Sequence, residues 1–252
     1  TADCDFNDLR NSGLHIQVGK NLVENKMPES HWFVELMERG AKIVSIAPEY
    51  SAPATKADYF IPVRPGLSDT SIFLYLAKYL MDGDLYDADF VKRFTDLPLL
   101  VRTDTLRRLK PEDFIEGYEP VDISDGPSFR LHAMTEEQRE RVGDYVVWCE
   151  NEGGLRPLTR DDVGDVLEAK GCEPRLEWRG RVKLLSGETV EVQTLFTMYR
   201  RHLEDYDLDT VAEITGAAAA LIQRLAHDVA TIRPVAIHYG EGINHYFHAT
   251  LH

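Results

Sequence analysis

The sequence predicts an α/β fold built on a parallel sheet, and three observations carry that reading. Leu14-His15-Ile16-Gln17-Val18 is a strand-like run that stops at Gly19-Lys20-Asn21. A helix-spaced segment follows from about Glu29 to Arg39, with Trp32, Phe33, Leu36 and Met37 on one side. Ala41 to Ala47 then reads as a second strand, ending at Pro48-Glu49-Tyr50. Strand, turn, helix, strand is a βαβ crossover, right-handed in nearly all known cases, so both strands end on one edge of a parallel sheet. The fold class is therefore α/β, with parallel-sheet (Rossmann-like) parts and a small mixed β insertion.

Taken in order, Thr1 to Asn11 is polar and acidic and reads as a surface connection. His15 is a packed or edge histidine of the first strand. Pro28 suits the first turn of the helix that follows, where its missing N–H costs nothing. Gly40 suits the stop of that helix, because glycine enters the left-handed cap without a Cβ penalty. A third extended run, Tyr59 to Val63, leads through Arg64-Pro65-Gly66-Leu67-Ser68-Asp69-Thr70 to a helix over Asp69 to Met81, with Ile72, Phe73, Leu76 and Leu80 facing a core. Asp82-Gly83-Asp84 ends it, and Ala88 to Phe94 is a short helix. Leu99 to Val101 runs into a basic patch of Arg102, Arg107, Arg108 and Lys110, which nearby Asp104, Glu112 and Asp113 balance as solvated surface.

Regular periodicity is lost from Phe114 to Gly143, where Gly117, Pro120, Gly126 and Pro127 act as breakers. Asp144 to Cys149 and Leu155 to Leu158 read as a hairpin, and Leu176 to Leu184 with Thr189 to Val192 as another extended pair. Helices follow over Leu195 to Leu203, from a cap at Asp209 to Glu213, and over Ala217 to Val229. Pro234 to Tyr239 returns as a buried parallel strand and enters Gly240-Glu241-Gly242-Ile243-Asn244-His245-Tyr246-Phe247-His248.

Composition narrows the function. With 43% hydrophobic and 28% charged residues the chain is globular rather than disordered. A formal charge of -15 excludes a nucleic-acid partner, since phosphate backbones require basic surface. No apolar run approaches the roughly 20 residues of a membrane span. The cysteines Cys4, Cys149 and Cys172 are scattered without CxxC pairing and read as small hydrophobic core thiols, not as zinc or cluster ligands.

The turns at the predicted sheet edge suit a nucleotide. Gly19 lets backbone approach a phosphate, Asn21 supplies donors and an acceptor, and Lys20 or Lys26 can pair with phosphate or stay solvated. Glu49, just after the second strand, stands where such folds bind a ribose hydroxyl. Ser68-Asp69 can cap a helix and face a guanine. Gly240 and Gly242 permit close backbone approach, Asn244 is a natural N-cap, and His245 and His248 fall on one helix face. Every one of these residues also has an ordinary reading as turn, cap or core residue, and the spacing is not GxGxxG. Residues 1–110 form the βαβ dinucleotide-cofactor-binding part, 111–194 the irregular β insertion, and 195–252 the helices and strand that return to the core.

Gly19-Lys20-Asn21, Ala47-Pro48-Glu49-Tyr50, Ala57-Asp58, Arg64 to Thr70, Ile214-Thr215-Gly216 and His238 to His248 together resemble the molybdopterin oxidoreductases of the DMSO reductase family, nearest the catalytic alpha subunits of respiratory nitrate reductase and nitrite oxidoreductase. Perchlorate, selenate and chlorate reductases and hydrocarbon dehydrogenases are near relatives. The resemblance implies molybdenum bis(molybdopterin guanine dinucleotide), with Gly19, Lys20, Asn21, Pro48, Glu49, Tyr50, Gly66, Ser68, Asp69, Gly240, Gly242, Asn244, His245 and His248 as cofactor-binding residues. It implies oxygen-atom transfer between nitrate and nitrite, or on another small oxyanion. It also implies an iron–sulfur cluster in the parent subunit, an iron–sulfur beta subunit, and a membrane or haem-containing electron-transfer subunit in a membrane-associated complex of anaerobic respiration. The family's molybdenum-ligating aspartate and cluster ligands match nothing here, so no residue is assigned as catalytic or metal-ligating. We accordingly expect an internal fragment that is inactive alone. Gly-Lys-Asn replaces the usual Gly-Ser-Asn and Ala-Pro-Glu-Tyr replaces Thr-Pro-Asp-Tyr, variants closer to nitrite oxidoreductases. The reading of another class is a nucleotide-binding α/β module without redox chemistry.

Overall fold

Five consecutive residues, Leu14–Val18, form strand β1, and all five are buried because both faces of the strand are covered. The computed structural model describes residues 6–66, 68–120, 144–159 and 161–240. After β1 come two helices, α1 (Leu22–Asn25) and α2 (Ser30–Glu38), and strand β2 (Lys42–Ala47). Gly40 closes α2 at φ +76°, with its N–H on the Met37 carbonyl and the Ala41 N–H on that of Leu36, the left-handed cap expected there. Strand β3 (Tyr59–Pro62) and helix α3 (Ser68–Asp82) follow.

The chain then enters a second unit, residues 87–202. Its elements are α4 (Ala88–Phe94), β4 (Leu100–Arg102), β5 (Tyr145–Cys149), β6 (Gly154–Leu158), α5 (Asp165–Ala169), β7 (Arg179–Lys183), β8 (Thr189–Thr194) and α6 (Leu195–His202). The pairings are antiparallel, β4-β8-β7 in one sheet and β5-β6 in another, so the β structure here is antiparallel rather than mixed. Leu100, Val146, Val182 and Val192 form one core, with Trp148 stacked on Trp178 at 4.5 Å and 17°. The basic patch is tied down locally: Arg102 pairs with Asp104 at 2.7 Å, and Arg108 lies over the Tyr145 ring at 4.6 Å.

The chain returns to the first unit as α7 (Leu208–Thr215), α8 (Ala219–Thr231) and β9 (Val235–Tyr239). The cap of α7 is Asp207, whose carboxylate accepts the Thr210 N–H at 2.8 Å. The expected cap, Asp209, already lies inside the helix. The first unit's sheet is wholly parallel, ordered β3-β2-β1-β9. Leu14, Ile16 and Val18 face Ile72, Leu76, Val211, Ile222 and Leu225 of α3, α7 and α8. On the opposite face, Ile43 packs with Leu22 and Phe33. Each such aliphatic side chain adds about 1.5–3 kcal/mol by leaving water. The sequence predicts a buried β9, yet Ile237 and Tyr239 are 49% and 57% exposed, because among the described residues the helical layer over that face of the sheet meets only Val235 of this strand.

Candidate functional site

Order along the sheet reverses between β1 and β9: the chain moves from β1 outward to β3 on one side, then returns on the other. Ligands of open parallel sheets bind beyond the carboxyl ends of the strands at such a reversal. To the β2 side of that reversal the ends of β1, β2 and β3 frame a cavity of about 240 Å³, which no residue of β9 lines. From the first turn come Gly19, Lys20 and Asn21, from the second Pro48, Glu49 and Ser51, and from the third Arg64, Gly66 and Asp69. Gly19 (φ +56°) and Gly66 (φ +93°) adopt backbone angles that a side chain disfavours, which explains glycine at both turns.

Individual side chains are more occupied than the spacing predicts. Asn21 caps α1, accepting the Glu24 N–H at 3.3 Å and donating to the Glu24 carboxylate. Lys20 turns inward to Glu29, with Nζ 3.3 Å from Oε2, and both side chains are mostly buried. Its stem fills the space beside Gly240, where an added Cβ would meet Lys20 Cδ at 2.7 Å. His238 Nε2 lies 3.6 Å from the same Glu29 oxygen. Burial, then the Lys20 charge, holds His238 down at about 4 against the opposing pull of Glu29, so at neutral pH this contact is not an ion pair. Arg64 anchors the third turn: Nη1 donates to the Glu213 carbonyl at 2.6 Å and its backbone N–H to Thr215 at 2.8 Å.

Gly19, Lys20, Asn21, Pro48, Glu49, Gly66 and Asp69 are thus gathered around one space. Ser68 and Tyr50 are not among its lining residues. The Ser68 hydroxyl donates to the Arg64 carbonyl, and Tyr50 is 65% exposed with its ring edge-on to Phe60 at 5.3 Å. Gly242, Asn244, His245 and His248 lie outside the described residues. Asn25, Ala47, Ser51, Arg64 and Pro65 also line the cavity; Ala47, Arg64 and Pro65 fall inside the motifs quoted from the sequence without being named as cofactor-binding, and Asn25 and Ser51 carry no sequence signal. Asp58 of the Ala-Asp pair is structural, its carboxylate accepting the Ile43 N–H at 2.7 Å. Another cavity, about 600 Å³, is in the second unit and is lined by none of these residues. The sheet edge is the candidate site because strand ends, glycine turns and convergent donors and acceptors coincide there.

No protein-family model matches the sequence. Perchlorate reductase subunit alpha of Dechloromonas aromatica is 32% identical over 248 residues, 96% of this chain and 26% of that protein. Respiratory nitrate reductase subunit alpha of Haloferax mediterranei is 28% identical over 258 residues, 100% of this chain and 24% of that protein. The chain is a homologue of the molybdopterin oxidoreductases of the DMSO reductase family. The thiosulfate reductase molybdopterin-containing subunit PhsA of Salmonella typhimurium is 36% identical over 89 residues, 35% of this chain and 12% of that protein. The chain spans about a quarter of the length of the first two relatives. No helix among the described residues is long and apolar enough to cross a membrane.

Proposed function

We propose that the first unit is a Rossmann-like half that holds the guanosine end of a molybdopterin guanine dinucleotide in an oxyanion oxidoreductase. The observation that carries this is the convergence of Glu49, Arg64 and Asp69 on one cavity at the carboxyl ends of β1, β2 and β3. The donor set fits the group. A carboxylate after β2 matches a ribose hydroxyl, and Asp69 accepts from the N–H groups of a guanine. Gly19 and Gly66 let backbone approach a phosphate. A cavity of about 240 Å³ takes one nucleoside end, not a whole dinucleotide.

When bound, molybdenum and pterin supply the oxygen-atom transfer, and this chain binds and orients them. Gly240, Gly242, Asn244, His245 and His248 are proposed to contact the pterin side. The substrate is a small oxyanion: nitrate with nitrite as product, or the reverse, or a chlorine oxyanion in keeping with the perchlorate reductase relative. Iron–sulfur clusters, a beta subunit and a membrane or haem-containing subunit of the parent complex would carry the electrons.

Guanine released by acid hydrolysis, counted per polypeptide of the holoenzyme, tests the site. Asp69→Ala and Glu49→Gln should each lower it at least threefold while molar ellipticity is unchanged. Full guanine content with unaltered turnover in both variants removes the assignment. Reduced-dye assays on nitrate, chlorate and perchlorate then separate the substrates.

A further inference from the structure

Cys149 and Cys172 lie together in the smaller core of the second unit. Cys149 ends β5 and is fully buried, and Cys172 follows α5 at 6% exposure; both pack with Val147, Leu158 and Leu167. The segments that carry them are already joined. The Glu150 N–H donates to the Glu173 carbonyl at 2.8 Å, and Cys149 pairs antiparallel with Pro174. Cys172, two residues before Pro174, therefore stands on the same face as Cys149. Asn151 clamps both: its amide oxygen accepts the Cys149 thiol at 3.0 Å and the Glu173 N–H at 3.1 Å, and its nitrogen donates to the Gly171 carbonyl. Burial first, then a hydrogen bond to the Cys149 sulfur, pushes the Cys172 thiol up. One wall is open, since Cys172 lines a cavity of about 350 Å³ with Lys92, Gly171 and Glu173.

We propose that Cys149 and Cys172 are a disulfide site that ties β5 to the segment after α5. The oxidant is a low-molecular-weight disulfide. Its S–S bond breaks and the Cys149 Sγ–Cys172 Sγ bond forms, with two electrons and two protons passing from the protein thiols to give two small thiols. The open wall admits the oxidant to Cys172, and Cys149, behind it, resolves the mixed disulfide. Because the thiolate is the attacking form, the folded protein reacts slowly, and the bond is installed chiefly as the chain folds. This inference does not depend on the cofactor reading.

The 252-residue chain is to be reduced, unfolded and refolded in oxidised with reduced glutathione, then alkylated in denaturant and mapped by tryptic mass spectrometry. The expected product joins the Cys149 peptide to the Cys172 peptide, lighter by two hydrogen atoms, with Cys4 alkylated. Reduction should lower the melting temperature by roughly 5 °C, a change absent from Cys172→Ser. Glutathione added to reduced, folded protein should link the pair at least about tenfold more slowly, faster as pH rises toward the thiol range. Should Cys172→Ser not fold, the wild-type peptide map decides alone. Free alkylation of both residues after oxidative refolding, stable glutathione adducts without linkage, or linkage through Cys4 would each overturn the proposal.

Discussion

His15 and Gln17 are polar residues at the most enclosed positions of β1, 0% and 1% exposed. Neither ring nitrogen of His15 nor either amide atom of Gln17 has a hydrogen-bond partner among the described residues. Burying such groups unbonded costs about 1–3 kcal/mol each, so Gln17→Leu should stabilise the chain by roughly 1 kcal/mol in urea titrations. Burial, with the His238 charge adding to it, lowers His15 to about 3. Both histidines thus have folded values below the unfolded 6.5, so the unfolded chain binds more protons in between. Their stabilising contribution is complete above pH 6.5 and is lost as pH falls toward 4 and then 3. Through these two groups unfolding free energy should drop by about 6 kcal/mol from pH 7 to pH 4, about half of it through His15, so His15→Phe should roughly halve that contribution. The packed histidine was legible as a hydrophilic residue inside an apolar run. The Lys20–Glu29 pair was not, because it depends on where α2 lies against the turn, which periodicity does not contain.

Where the pattern is regular, elements follow from spacing almost to the residue: β1 falls on Leu14–Val18 and α4 on Ala88–Phe94, as read from the sequence. What the pattern misses is short or tertiary. The five-residue α5 begins after Gly164, whose φ of +55° and contact with the Phe94 ring fix a turn that no local propensity announces. β4 exists because Leu100 to Arg102 find β8, almost a hundred residues away. Besides the apolar packing of Ile222 and Leu225, helix α8 is tied to the sheet by a buried carboxylate, Asp228, 4% exposed. It takes Lys42 Nζ at 2.8 Å and the Tyr59 hydroxyl at 2.9 Å, while Arg224 covers the Tyr59 ring at 4.2 Å. Asp228→Ala leaves the buried Tyr59 hydroxyl without its acceptor and turns the part-exposed Lys42 ammonium back to water, and should cost about 2–3 kcal/mol in denaturant unfolding. Asp207→Ala, which removes only the α7 cap, should cost about 1 kcal/mol. Equal losses in the two variants would show that Asp228 is no anchor.

At the scale of the whole molecule, residues 1–86 and 203–252 make one unit and 87–202 another. The second unit has its own cores, so residues 87–202 expressed alone should fold cooperatively. The Trp148–Trp178 stack supplies the signal, an exciton couplet in far-ultraviolet circular dichroism that Trp178→Phe abolishes. A flat melting curve for the isolated unit would refute this. That the turns after β1, β2 and β3 meet at one sheet edge was legible, because parallel strands joined by crossovers end on the same edge. The division of labour among its side chains was not, since Asn21, Lys20 and Ser68 each answer to a neighbour fixed only by the fold. Discontinuity of the first unit also sets a schedule. β1 takes β9 as a parallel neighbour, Leu14 opposite Val235. On the ribosome, at about 5–20 residues per second, that partner emerges roughly 10–45 seconds after β1. For that interval the nascent chain carries a hydrophobic strand with one open edge, while the segment emerging in between can fold first. Chaperone demand during synthesis should therefore peak before β9 appears and end when it docks.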